Sequence, residues 1–361
     1  MNILIIEDQP EWVTDVAKAA VGIAKIFSPS DVGLLGALSE GVPAEDQLLV
    51  KLRDIVAEFG IDLVLLDTDL SRARGDLQAQ SGYRVALQEL GIPVCRYQKG
   101  GSETKFSWWQ RLQRIAVDGA SAVWVSKDMV SGDKFDQLVP WLKQMSDGFG
   151  SITKKLEEHP ELLTKEQSPS DVLAIVLDRP SAKVDFLGYS AQNFFFFAAP
   201  NDGNGSENFP SPARRYATRL GYWLYNYILI FPGPILSTAA AAAFLNLQLA
   251  SFANDKVQAL IAGCRYNGPF GELDALFWRD SLTEMLDALN GDIALAPGLA
   301  DERLERIDAD DPTAAAYLCV LSHEAVLQRD AAPNPDWIPP GAYQARIKGE
   351  HLDELGPLLG I

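Results

Sequence analysis

Two short apolar runs, each ending in acid, constrain this chain more than anything else in it. They are Asn2-Ile3-Leu4-Ile5-Ile6-Glu7-Asp8 and Ile61-Asp62-Leu63-Val64-Leu65-Leu66-Asp67. Each run is too short for a helix, and a continuous apolar run bounded by polar residues reads as a strand buried on both faces of a parallel sheet. In open sheets of that kind, ligands gather in the crevice at the carboxyl ends of the strands. Glu7, Asp8 and Asp67 are therefore expected to meet there as one acidic, cation-holding site.

The intervening and following segments supply the rest of such a sheet. Residues 11–24 and 46–59 carry apolar side chains at helical spacing, with a short strand expected near 23–27 between them. After a polar loop at 68–81 come a helix at 82–90, a strand at 91–97, a glycine turn at 99–102 and a helix at 103–117. A fifth strand is expected over 119–127, ending in Lys127, and a helix over 134–149. Strand and helix thus alternate five times within about 150 residues, which predicts an α/β fold with a doubly wound parallel sheet.

With 361 residues, the chain is too long for one ordinary core, so a second domain is expected. A net charge of −18 disfavours nucleic acid and anionic membranes as main partners, because both select basic patches. Cys95, Cys264 and Cys319 lie far apart and give no zinc or disulfide pattern, so a reducing, cytoplasmic setting is expected. No basic, signal-like segment opens the sequence. The uncharged stretch 221–254 is cut by Pro232-Gly233-Pro234, so neither part reaches the roughly 20 apolar residues of a membrane span.

The order of parts in the first 150 residues resembles the receiver domain of bacterial response regulators. The residues that carry the resemblance are Glu7-Asp8 after the first strand, Asp67 after the third and Lys127 after the fifth. Gly82-Tyr83 and Gly119-Ala120-Ser121 add to it. The resemblance implies a five-stranded sheet in flavodoxin-like order. It also implies Mg2+ held by Glu7, Asp8, Asp67 and the backbone carbonyl of Asp69, phosphorylation of Asp67, and Lys127 pairing with the phosphoryl oxygens or Asp67. Protein partners follow from it, a sensor kinase or an effector in two-component signalling. The sequence departs from the family after the fourth strand, where Tyr97-Gln98 stands in place of a small hydroxyl residue. Ser102 or Thr104 would substitute only if the loop folds back. A degenerate receiver used as a docking platform is therefore kept beside the phosphoacceptor reading.

A metal-dependent hydrolase is the alternative from another class. Asp67-Thr68-Asp69 resembles the DxD of Toprim nucleases, and Asp67-x-Asp69 the nucleophile motif of haloacid-dehalogenase-type phosphatases. Asp8 in place of a glycine speaks against the first, and the strand preceding the motif against the second.

The domain reading is 1–150 receiver-like, 151–170 a linker helix, and 171–361 a mainly helical output or interaction domain. Helices are expected over 213–231, from Ser237 or Thr238 through Phe252, and over 255–264, 273–289 and 313–327. Phe194–Phe197 is expected to be buried and 201–212 to be a loop. The pair Arg214-Arg215 suits an anion, the acidic first domain or a solvated helix start. His323-Glu324 is an isolated pair, and no catalytic constellation is legible in this half.

Overall fold

The computed structural model describes residues 1–34, 41–70, 80–99, 107–130, 134–164, 167–189 and 210–355. Phe194–Phe197, Asn201–Glu207, Ser102 and Thr104 fall outside these residues. The chain divides into two compact units. The first comprises Met1–Thr104, Gln113–Val172 and Phe196–Trp223, and the second Lys105–Leu112, Leu173–Phe195 and Leu224–Ile361.

The first unit alternates strand and helix in the expected way: β1 (Asn2–Ile6), α1 (Pro10–Ala19), β2 (Lys25–Phe27), α2 (Ala44–Phe59), β3 (Leu63–Asp67), α3 (Gln80–Leu90), β4 (Val94–Tyr97), α4 (Ser107–Asp118, of which the part up to Leu112 belongs to the second unit) and β5 (Val123–Trp124). Two helices follow, α5 (Lys127–Val130) and α6 (Phe135–Glu158). The five strands form one sheet, every pairing parallel, in the order β2-β1-β3-β4-β5. This is the doubly wound, flavodoxin-like arrangement. β5 is shorter than the sequence suggests, and Lys127 opens α5 instead of ending the strand. The helix expected at 134–149 runs on to Glu158, because Ile152 and Leu156 continue the buried stripe begun by Leu138, Leu142, Met145 and Phe149.

The alternation of side chains explains why both faces of the sheet are apolar. Leu4, Ile6, Val64, Leu66 and Val94 join a core with Leu52, Val56, Tyr83 and Leu87 from α2 and α3. Ile3, Ile5, Leu63, Leu65 and Cys95 have the opposite parity and are buried as well, on the other face. Gly60 ends α2 in the left-handed conformation at φ 58° and caps it through its N–H to the Val56 carbonyl.

A later helix also belongs to the first unit. In α9, defined below as Pro212–Trp223, Arg214 donates to the Ile61 carbonyl at 2.6 Å and Thr218 to that of Gly91, also at 2.6 Å. The Tyr222 hydroxyl accepts from the Val94 N–H at 2.7 Å. These contacts lie at the amino ends of β3 and β4, opposite the acidic edge. Gly91 has φ 61°, and a Cβ there would come within 2.8 Å of Arg215 Cα, so this approach requires glycine. Arg214 is thus engaged with backbone.

The remaining elements are α7 (Pro169–Val176), α8 (Lys183–Leu187), α9, β6 (Ile235–Ser237), α10 (Thr238–Phe244), α11 (Leu249–Phe252), α12 (Asp255–Leu260), β7 (Leu276–Trp278) and α13 (Arg279–Ala288). Then come β8 (Tyr317–Cys319), β9 (Ala325–Val326), β10 (Ala331–Ala332), β11 (Ala345–Lys348) and α14 (Gly349–Leu355). This C-terminal region is mainly helical, with a two-stranded sheet and a four-stranded sheet. Its core gathers Leu236, Ala240, Ala241, Phe252, Val257, Phe277 and Leu282.

Three expectations for this region are corrected, the first being the helix expected over 273–289, which opens with β7 paired to β6 and becomes helical only from Arg279. The helix expected over 313–327 is instead the antiparallel pair β8 and β9. His323 turns the chain between them at φ 57°, and β8 also pairs in parallel with β11, so non-local pairing overrides helical spacing. The helix expected from 238 through 252 breaks after Phe244. There Asn246, at φ 55°, donates through its side chain to the carbonyls of Asp308 and Asp311, both at 2.9 Å. Among the described residues, no helix is long and apolar enough to cross a membrane.

Candidate functional site

Register builds the site. Ile5 pairs with Leu65 and Leu65 with Cys95, so one pleat further along, Glu7, Asp67 and Tyr97 form the next row on the same face. Asp67 and Tyr97 are themselves register partners. Glu7 is 4% exposed and Asp67 2%, so two carboxylates lie side by side with almost no water to screen them.

The positive charge beside them is Lys99, two residues past Tyr97. Its Nζ bonds to Glu7 Oε2 and stands 3.9 Å from Asp67 Oδ2. The Tyr97 hydroxyl donates to the same Glu7 oxygen, and the Gln9 N–H donates to Glu7 Oε1 at 2.9 Å. Asp67 Oδ1 accepts from the Asp69 N–H at 2.9 Å. Trp12 of α1 stacks on Tyr97 with ring centroids 4.9 Å apart and an interplanar angle of 17°. Lys99 Nζ lies 4.6 Å from the centroid of Trp12, so the ammonium has an aromatic wall on one side and carboxylates on the other.

One ammonium cannot balance two buried acids equally, and their proton affinities diverge. Burial pushes Glu7 up, but hydrogen bonds from Lys99 and Tyr97, with the Lys99 charge, outweigh it and hold Glu7 below the usual carboxylate range. Burial raises Asp67 to about 7, helped by the adjacent Glu7 charge and opposed by the Asp69 N–H and Lys99. Burial first, then the Glu7 and Asp67 charges, push the Tyr97 phenol upward, so it stays a donor.

The expected residues are placed as follows. Glu7 and Asp67 come together. Asp8 is half-buried next to Glu7, and Asp69 is exposed, reaching Asp67 through its N–H. Lys127 stands half-buried at the first position of α5, following β5 on the same carboxyl edge. Gln98 is exposed. Sequence reasoning missed Tyr97 and Lys99. The signal was present, since Cys95, Tyr97 and Lys99 share one parity, which carries the β4 row past the strand end.

Among the described residues, no three His, Cys, Asp or Glu side chains are grouped closely enough to hold a metal ion. Magnesium demands a near-octahedral set of oxygens. Glu7 instead has both oxygens engaged by protein donors, and an ammonium stands beside Asp67. These residues do not fit Mg2+ while Lys99 is seated there.

Comparison of the chain with protein families, with curated proteins and with solved structures found no match.

Proposed function

We propose that the first unit is a degenerate receiver domain, in which Lys99 takes the place of the divalent cation and the carboxyl edge serves as a docking platform for a protein partner. One observation carries this reading: a single Lys99 Nζ bonded to Glu7 and 3.9 Å from Asp67, in a sheet of flavodoxin-like order. The strand-end acids that the resemblance assigns to metal binding and phosphorylation are the acids Lys99 neutralises. Tyr97 supplies a hydroxyl from β4, but donates it to Glu7 and not towards an incoming phosphoryl group. On this reading the second unit is the output, a sensor kinase or effector is the partner class, and the setting is the cytoplasm.

A phosphodonor experiment tests it. Full-length protein incubated with acetyl phosphate and Mg2+ is expected to stay unmodified in intact-mass spectrometry. Appearance of an acyl phosphate that disappears in Asp67→Asn would replace this reading with the phosphoacceptor one. Turnover of a phosphate ester that depends on Asp67 and Asp69 would replace it with the hydrolase.

A further inference from the structure

The second unit contains a cavity of about 70 Å³ whose lining includes Trp108, Arg111, Leu229, Phe270, Asp274, Leu276 and His323. Every lining residue belongs to that unit, including Trp108 and Arg111 from its Lys105–Leu112 segment. We propose that this cavity binds a small zwitterion, an α-amino acid with a compact side chain, with its carboxylate on Arg111 and its ammonium on Asp274. The proposal is independent of the reading given to the first unit.

Three polar side chains face this space without protein partners of the usual kind. Arg111 lies over the Trp108 ring, 4.7 Å from its centroid, and forms no ion pair or hydrogen bond among the described residues. Asp274, exposed at the mouth, likewise forms none through its carboxylate, and the Arg111 charge acts on it. The two line one cavity with their charges in each other's field, yet do not close into a salt bridge. His323 stacks on Trp108 with centroids 3.4 Å apart and planes 14° apart, and its ring makes no hydrogen bond. With Arg111 and His323 half-buried and Asp274 exposed, water or a ligand entering the cavity supplies the partners that the protein does not.

The charge pattern selects the ligand. A simple anion would meet Arg111 but be repelled by Asp274, and a simple amine would face the reverse. A molecule carrying both charges satisfies both. Burial, then the Arg111 charge, push His323 down to about 4, so near neutral pH its ring is uncharged and can accept an N–H from the ammonium. Leu229, Leu276 and Phe270 supply an apolar wall for a short aliphatic side chain. The volume sets the size: at roughly 10–15 Å³ per water, the space holds a handful of non-hydrogen atoms, too few for a nucleotide.

Saturation-transfer NMR and calorimetry on the full chain test this with glycine, alanine, serine and valine as zwitterions, and propionate and propylamine as single-charge controls. At least one zwitterion is expected to bind about tenfold or more tightly than either control, the scale of one charge-assisted hydrogen bond. Arg111→Met should abolish that preference and Asp274→Asn should bring the zwitterion and propionate together. Leu229→Phe, which narrows the space without touching a charge, should weaken all ligands and covers the case in which Arg111→Met fails to fold. Equal binding of zwitterion and controls, no binding by any of the six, or zwitterion binding unaffected by Leu229→Phe would overturn the proposal.

Discussion

Two buried charge clusters flank β4 in the first unit, and they are balanced in opposite senses. On one face, Arg96 meets Asp118 at 2.6 Å, and Arg84 adds a second guanidinium to the same carboxylate at 3.2 Å. On the other, Lys99 is the one cation paired with Glu7 and Asp67 among the described residues. The difference follows from strand parity: Arg96 points to one side, and Tyr97 and Lys99 to the other. One acid with two cations is a closed structural link that joins α3, β4 and the end of α4. Two acids with one cation leave a site whose protonation and counter-charge can change near neutral pH. The under-compensated cluster lies at the carboxyl edge, where open sheets place ligands.

The largest expected effect is on the under-compensated side. Lys99→Met leaves Glu7 buried with neutral donors only, and should lower unfolding stability at pH 7 by about 3 kcal/mol. The loss should shrink as pH falls towards 5, because the raised proton affinity lets the acids neutralise themselves. Denaturant melts at the two pH values check this, and equal losses at both would break the contrast between the clusters.

Asp118→Asn removes the shared anion of the other cluster. Because Arg84 is partly exposed and can turn to water, the cost should be smaller, about 2 kcal/mol, and flat between pH 5 and 8. A steep pH dependence in this variant would show that the two clusters are not distinct in kind.

Asp67→Asn should act in the opposite direction. A folded-state affinity raised to about 7, against about 3.9 when unfolded, means that Asp67 contributes stability below pH 4, which is lost as pH rises through 7. The wild type should therefore carry a declining component between pH 4 and 7 that the variant lacks. At pH 8 the variant should be more stable, by on the order of 1–2 kcal/mol. Glu7 has the reverse sign: its depressed affinity stabilises above the unfolded value and is lost as pH falls through the folded one. The smallest effect is at the aromatic wall, where Trp12→Leu should cost about 1 kcal/mol through lost stacking and the weakened cation–π contact with Lys99.

Much of this was legible in the sequence because it depends on local pattern. The apolar runs before Glu7 and Asp67 identify two parallel strands, and their shared direction brings the two acids to one edge. The shared parity of Cys95, Tyr97 and Lys99 is legible, but not that Tyr97 and Lys99 meet Glu7 and Asp67, because that rests on register between β3 and β4, a long-range property that neither segment carries alone. Resemblance directs attention to Lys127, whereas the cation bonded to Glu7 comes from the segment after β4. In the second unit, β8 reads as helix because its parallel partner β11 lies 27 residues further on, Leu318 pairing with Ala345. The Arg111, Asp274 and His323 grouping was invisible for the same reason: its members are separated by 163 and 49 residues (274 − 111 and 323 − 274).

A calorimetric titration of Mg2+ into the full chain and into Lys99→Ala tests most directly whether Lys99 stands in for a bound cation. The wild type is expected to show no saturable binding at millimolar Mg2+, and Lys99→Ala to show binding that disappears when Asp67→Asn is added. Mg2+ binding by the wild type that Lys99→Ala leaves unchanged would contradict it.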